Sequence, residues 1–86
     1  MKRMIVRNRV RDFDVWKSVF DENLGAALEA GLTLENLWRS IDVPNDVFFI
    51  FTVNDLAKAH AFLSAPSSAE AGERSGVING EFWIVE

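Results

Sequence analysis

The segment Val47-Phe48-Phe49-Ile50-Phe51-Thr52-Val53 most strongly limits what this chain can fold into. Only one of its residues is polar, most are β-branched or aromatic, and turn formers flank it at Pro44-Asn45-Asp46 and Asn54, which is typical of a strand. Side chains alternate along a strand, so both faces of this one are apolar. A chain of 86 residues can cover one face of a sheet, and we expect a second subunit to cover the other.

Two terminal segments predict further strands. Residues Arg3 to Val10 alternate, with Asn8 on the same side as three apolar residues and arginines on the other side, continuing to Arg11. The arginine row either receives an anionic ligand or is a solvated sheet face, and the second interpretation is favoured because basic side chains are mostly exposed. Near the end, Asn79-Gly80 predicts a tight turn, and Phe82-Trp83-Ile84-Val85 predicts a strand that is apolar on both faces.

Two amphipathic helices are predicted between these strands. The first runs from Phe13 to Ala30, after an N-capping Asp12 and before Gly31. Its apolar stripe contains Phe13, Trp16, Phe20, Leu24 and Ala27. The second follows Asn54 or Asp55, and its stripe contains Leu56, Ala59, His60 and Leu63. Pro66 interrupts the second helix, and residues 67 to 74 predict one or two further turns that end at Gly76.

The order of elements predicts the fold class. A weaker strand from Leu32 to Asp42 precedes the central strand, which gives β-α-β-β-α-β. This order is that of an α+β, ferredoxin-like domain over residues 1–86, with a four-stranded antiparallel sheet and helices on one face. The helix-free face is then left bare, and a patch of that size indicates an interface, here with a second copy of the chain. The bare residues are expected to be Phe48, Ile50, Trp83 and Val85, or their neighbours of opposite parity.

The composition excludes several classes of function. A net charge of -4 argues against nucleic acid as the main partner. The chain has no cysteine, no metal-ligand spacing and no glycine-rich phosphate loop, so no metal or cofactor is expected. No apolar run is long enough to span a membrane and no signal segment follows the first residues, so we expect a soluble, cytoplasmic protein without a membrane partner.

Polar and aromatic residues outside the core offer candidate ligand contacts. Asn36, Trp38 and Arg39 together supply an amide, an indole N–H and a guanidinium to a polar aromatic or quinone-like ligand. The alternative, which we favour, is a buried or interfacial Trp beside exposed polar residues. His60 is the only histidine, and it is either a general base or a packing residue. The packing interpretation is favoured because no nucleophile or orienting carboxylate accompanies it.

A longer stretch carries a family resemblance. Its strongest part is Asp12-Phe13-x-x-Trp16 followed by Phe20-Asp21, within a run that begins at Val6. It resembles the opening of small dimeric α+β barrel proteins, many of them uncharacterised and some cyclase-like or antibiotic-biosynthesis-monooxygenase-like. The resemblance implies two sheets packed face to face across a two-fold axis. It also implies a pocket between each sheet and its own helices, or within the barrel.

Two functions are therefore expected, and whether the protein is an enzyme is left open. The first is a homodimer that binds a small apolar or aromatic molecule in a pocket of the barrel. The second is a cofactor-independent monooxygenase or cyclase that acts on a polyketide- or quinone-like substrate, with Asn8 and the residues from 36 to 39 placing the substrate. Relatives often carry His at the positions of Asn8 and near Asn23, and Asn cannot exchange a proton near neutral pH. The candidate ligand-binding residues are Asn8, Trp16, Asn36, Trp38, Arg39 and His60.

Overall fold

The computed structural model describes all residues from Met1 to Glu86, and it contains four strands and three helices. In chain order these are β1 (Lys2–Val10), α1 (Phe13–Glu29), β2 (Leu32–Arg39), β3 (Asp46–Val53), α2 (Leu56–Ser64), α3 (Pro66–Ser75) and β4 (Val77–Val85). All strand pairs are antiparallel, in the order β2-β3-β1-β4. The predicted α+β, ferredoxin-like fold is confirmed, with the central apolar segment inside the sheet as β3.

The core lies between the sheet and the helices. One side of β3, beginning at Val47, is buried together with one side of β1. The facing helical residues include Trp16, which is only 2% exposed, and its ring stacks on that of Phe20 at 4.7 Å. The ring of Phe20 in turn meets Phe49 of β3 edge-on at 5.0 Å. The predicted aromatic stripe of α1 therefore packs on the sheet, and full burial of each such side chain contributes about 1.5–3 kcal/mol.

Both predicted helix starts are present. The carboxylate of Asp12 accepts hydrogen bonds from the backbone N–H groups at the start of α1, and Asp55 accepts one from Lys58 N–H at 3.0 Å. These bonds satisfy donors that have no partner within the helix. His60 departs from the prediction, because it is exposed and does not join the apolar stripe of α2. The buried residue of that helix is Ala59, one position earlier.

The segment after Pro66 is more regular than predicted. It forms a separate helix of ten residues, α3, with Pro66 in its first turn. Proline suits this position because its missing N–H would have no helical partner there. The predicted stop at Gly76 is confirmed, since this residue ends α3 with a left-handed φ of 77°. The element order is thus β-α-β-β-α-α-β.

The turn predicted at Asn79-Gly80 is wrong. Both residues lie inside β4, where Asn79 pairs with Arg9 and Gly80 pairs with Asn8 of β1. The register then shifts, so that Ile78 is an extra residue between paired positions, as in a β-bulge. An Asn-Gly pair makes a hairpin turn only when the strands on its two sides pair with each other. Here the whole of β4 pairs with β1 instead.

The side of the sheet opposite the helices is bare, and we call it the helix-free face. It carries the predicted Phe48 and Ile50 of β3 and Trp83 and Val85 of β4, joined by Trp38 of β2. Phe48, Trp38, Trp83 and Val85 are between 37% and 49% exposed. Trp38 is therefore a surface residue on this face rather than a buried one. No helix of the chain has the length and apolar character needed to cross a membrane.

Candidate ligand cavity

A cavity of about 550 Å³ lies between the sheet and the three helices. Hydrophobic residues make up 16 of the 23 that line it. They come from all four strands on the sheet side and from α1, α2 and α3 on the helical side. Protein interiors normally leave few voids larger than a water molecule, and ligand pockets occupy about 300–1,000 Å³. The volume is therefore larger than that of an ordinary packing defect and lies within the range of ligand pockets.

Small residues opposite aromatic ones create this space. On α3 the lining residues include Ser68, Ala71 and Gly72, none of which reaches far toward the sheet. On β4, Gly80 also faces the cavity, and a Cβ there would come within 3.0 Å of the side-chain oxygen Oδ1 of Asn8. A larger residue at position 80 would displace the amide of Asn8. Gly80 thus keeps both the space and the amide available.

Aromatic side chains form the apolar wall. Trp16 and Phe20 of α1 lie over Phe49 and Phe51 of β3, with neighbouring ring centroids 4.7–6.2 Å apart. These separations are typical of offset-stacked and edge-to-face aromatic pairs. Phe82 of β4 also lines the cavity and is 51% exposed, which places it where the cavity meets solvent. A flat apolar ligand would find ring faces and ring edges on several sides.

Five side chains bring uncharged polar groups to the lining: Asn8, Trp16, Asn23, Ser68 and Ser75. Asn23 donates from Nδ2 to the backbone oxygen of Val19 at 2.8 Å. The hydroxyl of Ser68 donates to the backbone oxygen of Phe62 in α2, and that of Ser75 donates to the backbone oxygen of Gly72 in α3. Asn8 is half-buried, and its side chain makes no hydrogen bond within the chain. Every fully buried side-chain polar atom does have a partner, so the amide atoms of Asn8 must be accessible. Its amide is therefore open to a ligand.

Charge is almost absent from the cavity. The one ionisable residue in the lining is Glu81, which pairs in register with Arg7. Its carboxylate bonds the guanidinium of Arg7 at 3.4 Å, and Arg7 stands on the helix-free face. No histidine, lysine, arginine or aspartate lines the cavity. The Glu81 carboxylate is therefore on the helix-free face, and the lining offers no general base beside the hydroxyls of Ser68 and Ser75. No group of three or more potential metal-binding side chains is present anywhere in the chain.

A cluster of charges lies on the helix-free face at one end of β1 and β3. Arg9 bonds both carboxylate oxygens of Asp46, each at 2.9 Å, and Arg7 bonds one of them at 3.0 Å. Hydrogen bonds from Arg9 and then from Arg7 lower the pKa of Asp46 from 3.8 to about 2. The same contact raises the pKa of Arg9. Two members of the predicted arginine row, Arg7 and Arg9, thus bind a carboxylate of the same chain, that of Asp46. From the sequence, Asp46 was expected only in the turn before the central strand.

The structure brings together two of the six candidate residues. Asn8 and Trp16 both line the cavity. Asn36 and Trp38 pair with Ile50 and Phe48, so they lie on the other side of the sheet.

The remaining two candidates also lie outside the cavity. Arg39 donates to the backbone oxygen of Pro44 at 2.9 Å, and its guanidinium lies 3.9 Å from the ring centroid of Phe13. His60 is exposed on α2 and does not line the cavity. The arrangement proposed from sequence, with Asn8 and residues 36 to 39 around one ligand, is therefore not assembled within a single chain.

Sequence reasoning missed much of the polar lining. Asn23 lies four residues before Ala27 and three after Phe20, so helical spacing could have placed it on the buried stripe of α1. Ser68 and Ser75 gave no such signal, because α3 was not predicted as a full helix. Gly80 was not predicted to line a cavity, because it was expected to lie in a tight turn. Its role becomes visible only when β4 is paired with β1.

Comparison with known proteins supports the fold. No protein-family model matches the chain, and no curated protein matches it by sequence. A provisionally assigned antibiotic biosynthesis monooxygenase from Bordetella bronchiseptica superposes with a TM-score of 0.79 at 12% identity, over 99% of this chain and 94% of the other. A mutant of SnoaB, a cofactor-independent oxygenase from Streptomyces nogalater, gives a TM-score of 0.77 at 18% identity, over 99% and 90%.

A conserved protein from Methanosarcina mazei Go1 gives a TM-score of 0.75 at 11% identity, over 99% of this chain and 90% of the other. The structural neighbours are thus antibiotic-biosynthesis-monooxygenase-like proteins of ferredoxin-like fold, as the sequence resemblance implies. At such low identities these likenesses establish the fold alone, because one fold of this kind serves many functions.

Proposed function

We propose that the protein is a homodimer that binds a small apolar or aromatic molecule in the cavity between its sheet and its helices. The observation that carries this proposal is the cavity itself, at about 550 Å³ with 16 hydrophobic residues among the 23 that line it. Pockets for small molecules are concave and mostly apolar, with a few polar groups that set orientation. The open amide of Asn8 is such a group.

The aromatic wall favours a planar ligand. Trp16, Phe20, Phe49 and Phe51 form one cluster of contacting rings that borders the space, and Phe82 stands at its opening. Each aromatic contact adds about 0.5–1.5 kcal/mol beyond the area that it buries. A ligand of two to four fused or linked rings would use these faces, while a sugar or a peptide would leave its polar groups without partners.

The homodimer is supported by the helix-free face. Its exposed apolar side chains include Trp38 of β2, Phe48 of β3, Ile5 of β1 and Trp83 of β4, so they extend across all four strands. Exposed apolar areas of this kind mark interaction sites on monomeric surfaces. A second copy of the same sheet would cover them, since a two-fold axis places one apolar face against the other.

The second candidate is a cofactor-independent monooxygenase or cyclase, and the structural likeness to SnoaB favours it. Oxidation of an activated CH₂ group of the substrate to C=O would consume one O₂ and release one water, with all electrons coming from the substrate. The carboxylate of Glu81 lies on the helix-free face, so no side chain in the cavity would act as a base, and the chain would contribute placement and hydrogen bonding only. Asn8 and Asn23 are the groups that could stabilise negative charge on a substrate oxygen.

A ligand screen by thermal unfolding tests the binding proposal. The panel contains uncharged aromatic compounds of two to four rings with hydroxyl or keto groups. At a concentration of 100 times Kd, binding adds about 2.7 kcal/mol, which raises Tm by roughly 10 °C or more for a domain of this size. Ala71→Phe fills the cavity from α3 and should abolish the shift. Ala61→Phe is the matched control, because Ala61 is exposed on α2 and does not line the cavity.

The outcomes separate the two candidate functions. A shift that is lost in Ala71→Phe and kept in Ala61→Phe supports binding in the cavity. Oxygen uptake with the same compound, reduced by Asn8→Ala, would add the catalytic function. If no compound raises Tm, or if Ala71→Phe leaves the shift intact, the cavity is not the binding site.

A further inference from the structure

The cavity contains no charged group that could pair with a charged ligand. Glu81 is the only ionisable residue in its lining, and its carboxylate is bonded to Arg7 on the other side of the sheet. Arg7 and Arg9 are in turn bonded to Asp46. Arg7 and Arg9 are thus directed away from the cavity and neutralised on the helix-free face.

The polar groups that do line the cavity offer more lone pairs than free N–H groups. The hydroxyl hydrogens of Ser68 and Ser75 are used in bonds to the backbone oxygens of Phe62 and Gly72. One hydrogen of the Asn23 amide is used on the oxygen of Val19. The oxygens of these side chains keep lone pairs, while the free N–H donors are those of Asn8, the second hydrogen of Asn23 and the indole of Trp16. A ligand is therefore offered more acceptor lone pairs than donor hydrogens.

We propose that the cavity selects uncharged aromatic ligands that donate hydrogen bonds through hydroxyl or N–H groups, and that it rejects their anionic counterparts. This inference rests on the proposed function, since it names the ligand class for the same cavity. An anionic ligand would lose its hydration without gaining a cation, which is far more costly than burying an uncharged hydroxyl that finds an acceptor. A cationic ligand would likewise find no carboxylate.

Two fluorescent probes that share one scaffold test the charge selection. N-phenyl-1-naphthylamine is uncharged and carries one N–H, and 8-anilino-1-naphthalenesulfonate adds only a sulfonate. The uncharged probe is expected to bind the native chain with a Kd at least about tenfold lower. The sulfonate also changes hydrophobicity, so the decisive quantity is the Kd of the sulfonate probe divided by the Kd of the uncharged probe, compared between the native chain and Asn8→Lys. This variant brings an ammonium into the cavity, so that quotient should fall by about tenfold or more.

Asn23→Lys repeats this test from α1 if Asn8→Lys does not fold, with circular dichroism as the check. An unchanged ratio in a folded variant of either kind would overturn the charge selection. Equal or tighter binding of the sulfonate to the native chain would also overturn it.

A third probe, in which the N–H is replaced by N-methyl, tests the donor requirement. The native chain should bind it roughly two- to tenfold more weakly than the N–H probe, as expected for one lost hydrogen bond. In the double variant Ser68→Ala with Ser75→Ala that difference should shrink. Equal binding of both uncharged probes by the native chain would overturn the donor requirement.

Ala71→Phe separates a failure of this inference from a failure of the proposed function. If Ala71→Phe abolishes all probe binding but the native chain shows none of the expected preferences, the selectivity alone is refuted. Binding that persists in Ala71→Phe, or no binding to the native chain, would refute the cavity as a ligand site and the selectivity with it.

Discussion

Single residues decide how charge is distributed over the two sides of the sheet. Asp46 is only 5% exposed, and it accepts three hydrogen bonds from Arg7 and Arg9. Hydrogen bonds between charged groups are stronger than those between neutral ones, and the two-pronged contact with Arg9 also fixes its orientation. One carboxylate thus organises the two arginines at the end of β1, and neither guanidinium remains free for an anionic ligand.

The lowered pKa of Asp46 predicts a pH dependence of stability. Its pKa is about 2 in the folded chain against an ordinary value of 3.8, so the folded state binds the proton less tightly than the unfolded state. The resulting stabilisation is complete above about pH 4 and is lost as pH falls toward about 2. Urea unfolding across this range should show a loss of stability that is reduced in Asp46→Asn.

Asp21→Asn is the matched control for this prediction. Asp21 pairs with Lys17 on the exposed side of α1, and exposed ion pairs of this kind contribute little. The variant should keep the slope of the native chain. If Asp46→Asn and the native chain lose stability in parallel below pH 4, the Asp46 cluster is not the cause of the acid sensitivity.

Residue patterns predicted part of the candidate site. Asn8 and Trp16 line the cavity because each shares a side with core residues of β1 or α1. Trp38 was grouped with Asn8 by chemistry alone, and the sheet separates them. His60 sits next to the buried Ala59, and helical spacing cannot decide which of two neighbouring positions faces the core when both suit it. The chemical type of a residue therefore indicates a binding site only once the fold shows which residues lie together.

At the scale of elements, two interruptions of strand pairing shape the sheet. In β4 the extra residue is Ile78, and in β2 the register shifts between Leu34 and Asn36. The second shift places both Leu34 and Leu37 beside the buried residues Phe51 and Phe49. A simple period of two cannot predict such shifts, because they depend on a partner strand that the local sequence does not identify.

Two glycines, one inside α1 and one just after it, should respond to alanine substitution with opposite changes in stability. Gly31 follows α1 with a φ of 83°, and a Cβ there would lie 2.9 Å from the backbone nitrogen of Asp55. Gly31→Ala should destabilise the fold by about 1–2 kcal/mol from the left-handed conformation alone, and by more from the contact with Asp55. Gly25→Ala, inside α1 with nothing within 4 Å, should stabilise it by about 0.5–1 kcal/mol.

Urea unfolding of both variants beside the native chain measures this difference. Equal effects of the two substitutions would contradict the assignment of Gly31 as the left-handed end of α1.

At the scale of the whole molecule, the two sides of the sheet differ in kind. The helix side holds the core and the cavity, while the helix-free face holds exposed aromatic side chains and the Asp46 cluster. The fold class could be predicted from the order of elements, and the bare side of the sheet from the two apolar faces of β3 and from the number of helices. The cavity could not, because it arises from small residues of α3 such as Gly72 that face aromatic residues distant in sequence.

The proposed homodimer predicts that a charge on the helix-free face disrupts the dimer, while a charge elsewhere on the surface does not. At tens of micromolar the native chain should sediment at twice its chain mass, and Trp83→Lys should sediment as a single chain, because a buried ammonium without a partner is costly. Ile41→Lys is the matched control, since Ile41 is 96% exposed in the connection between β2 and β3. It should remain dimeric. A native chain that is folded and monomeric at this concentration would contradict the homodimer.

The three tryptophans provide a direct test of where a ligand binds. Trp16 lines the cavity, while Trp38 and Trp83 lie on the helix-free face. The measurement is a titration of the ¹⁵N-labelled chain with N-phenyl-1-naphthylamine, followed through the three indole N–H resonances. Our account predicts that the Trp16 resonance shifts while those of Trp38 and Trp83 stay in place. Shifts of Trp38 and Trp83 with an unmoved Trp16 would contradict it.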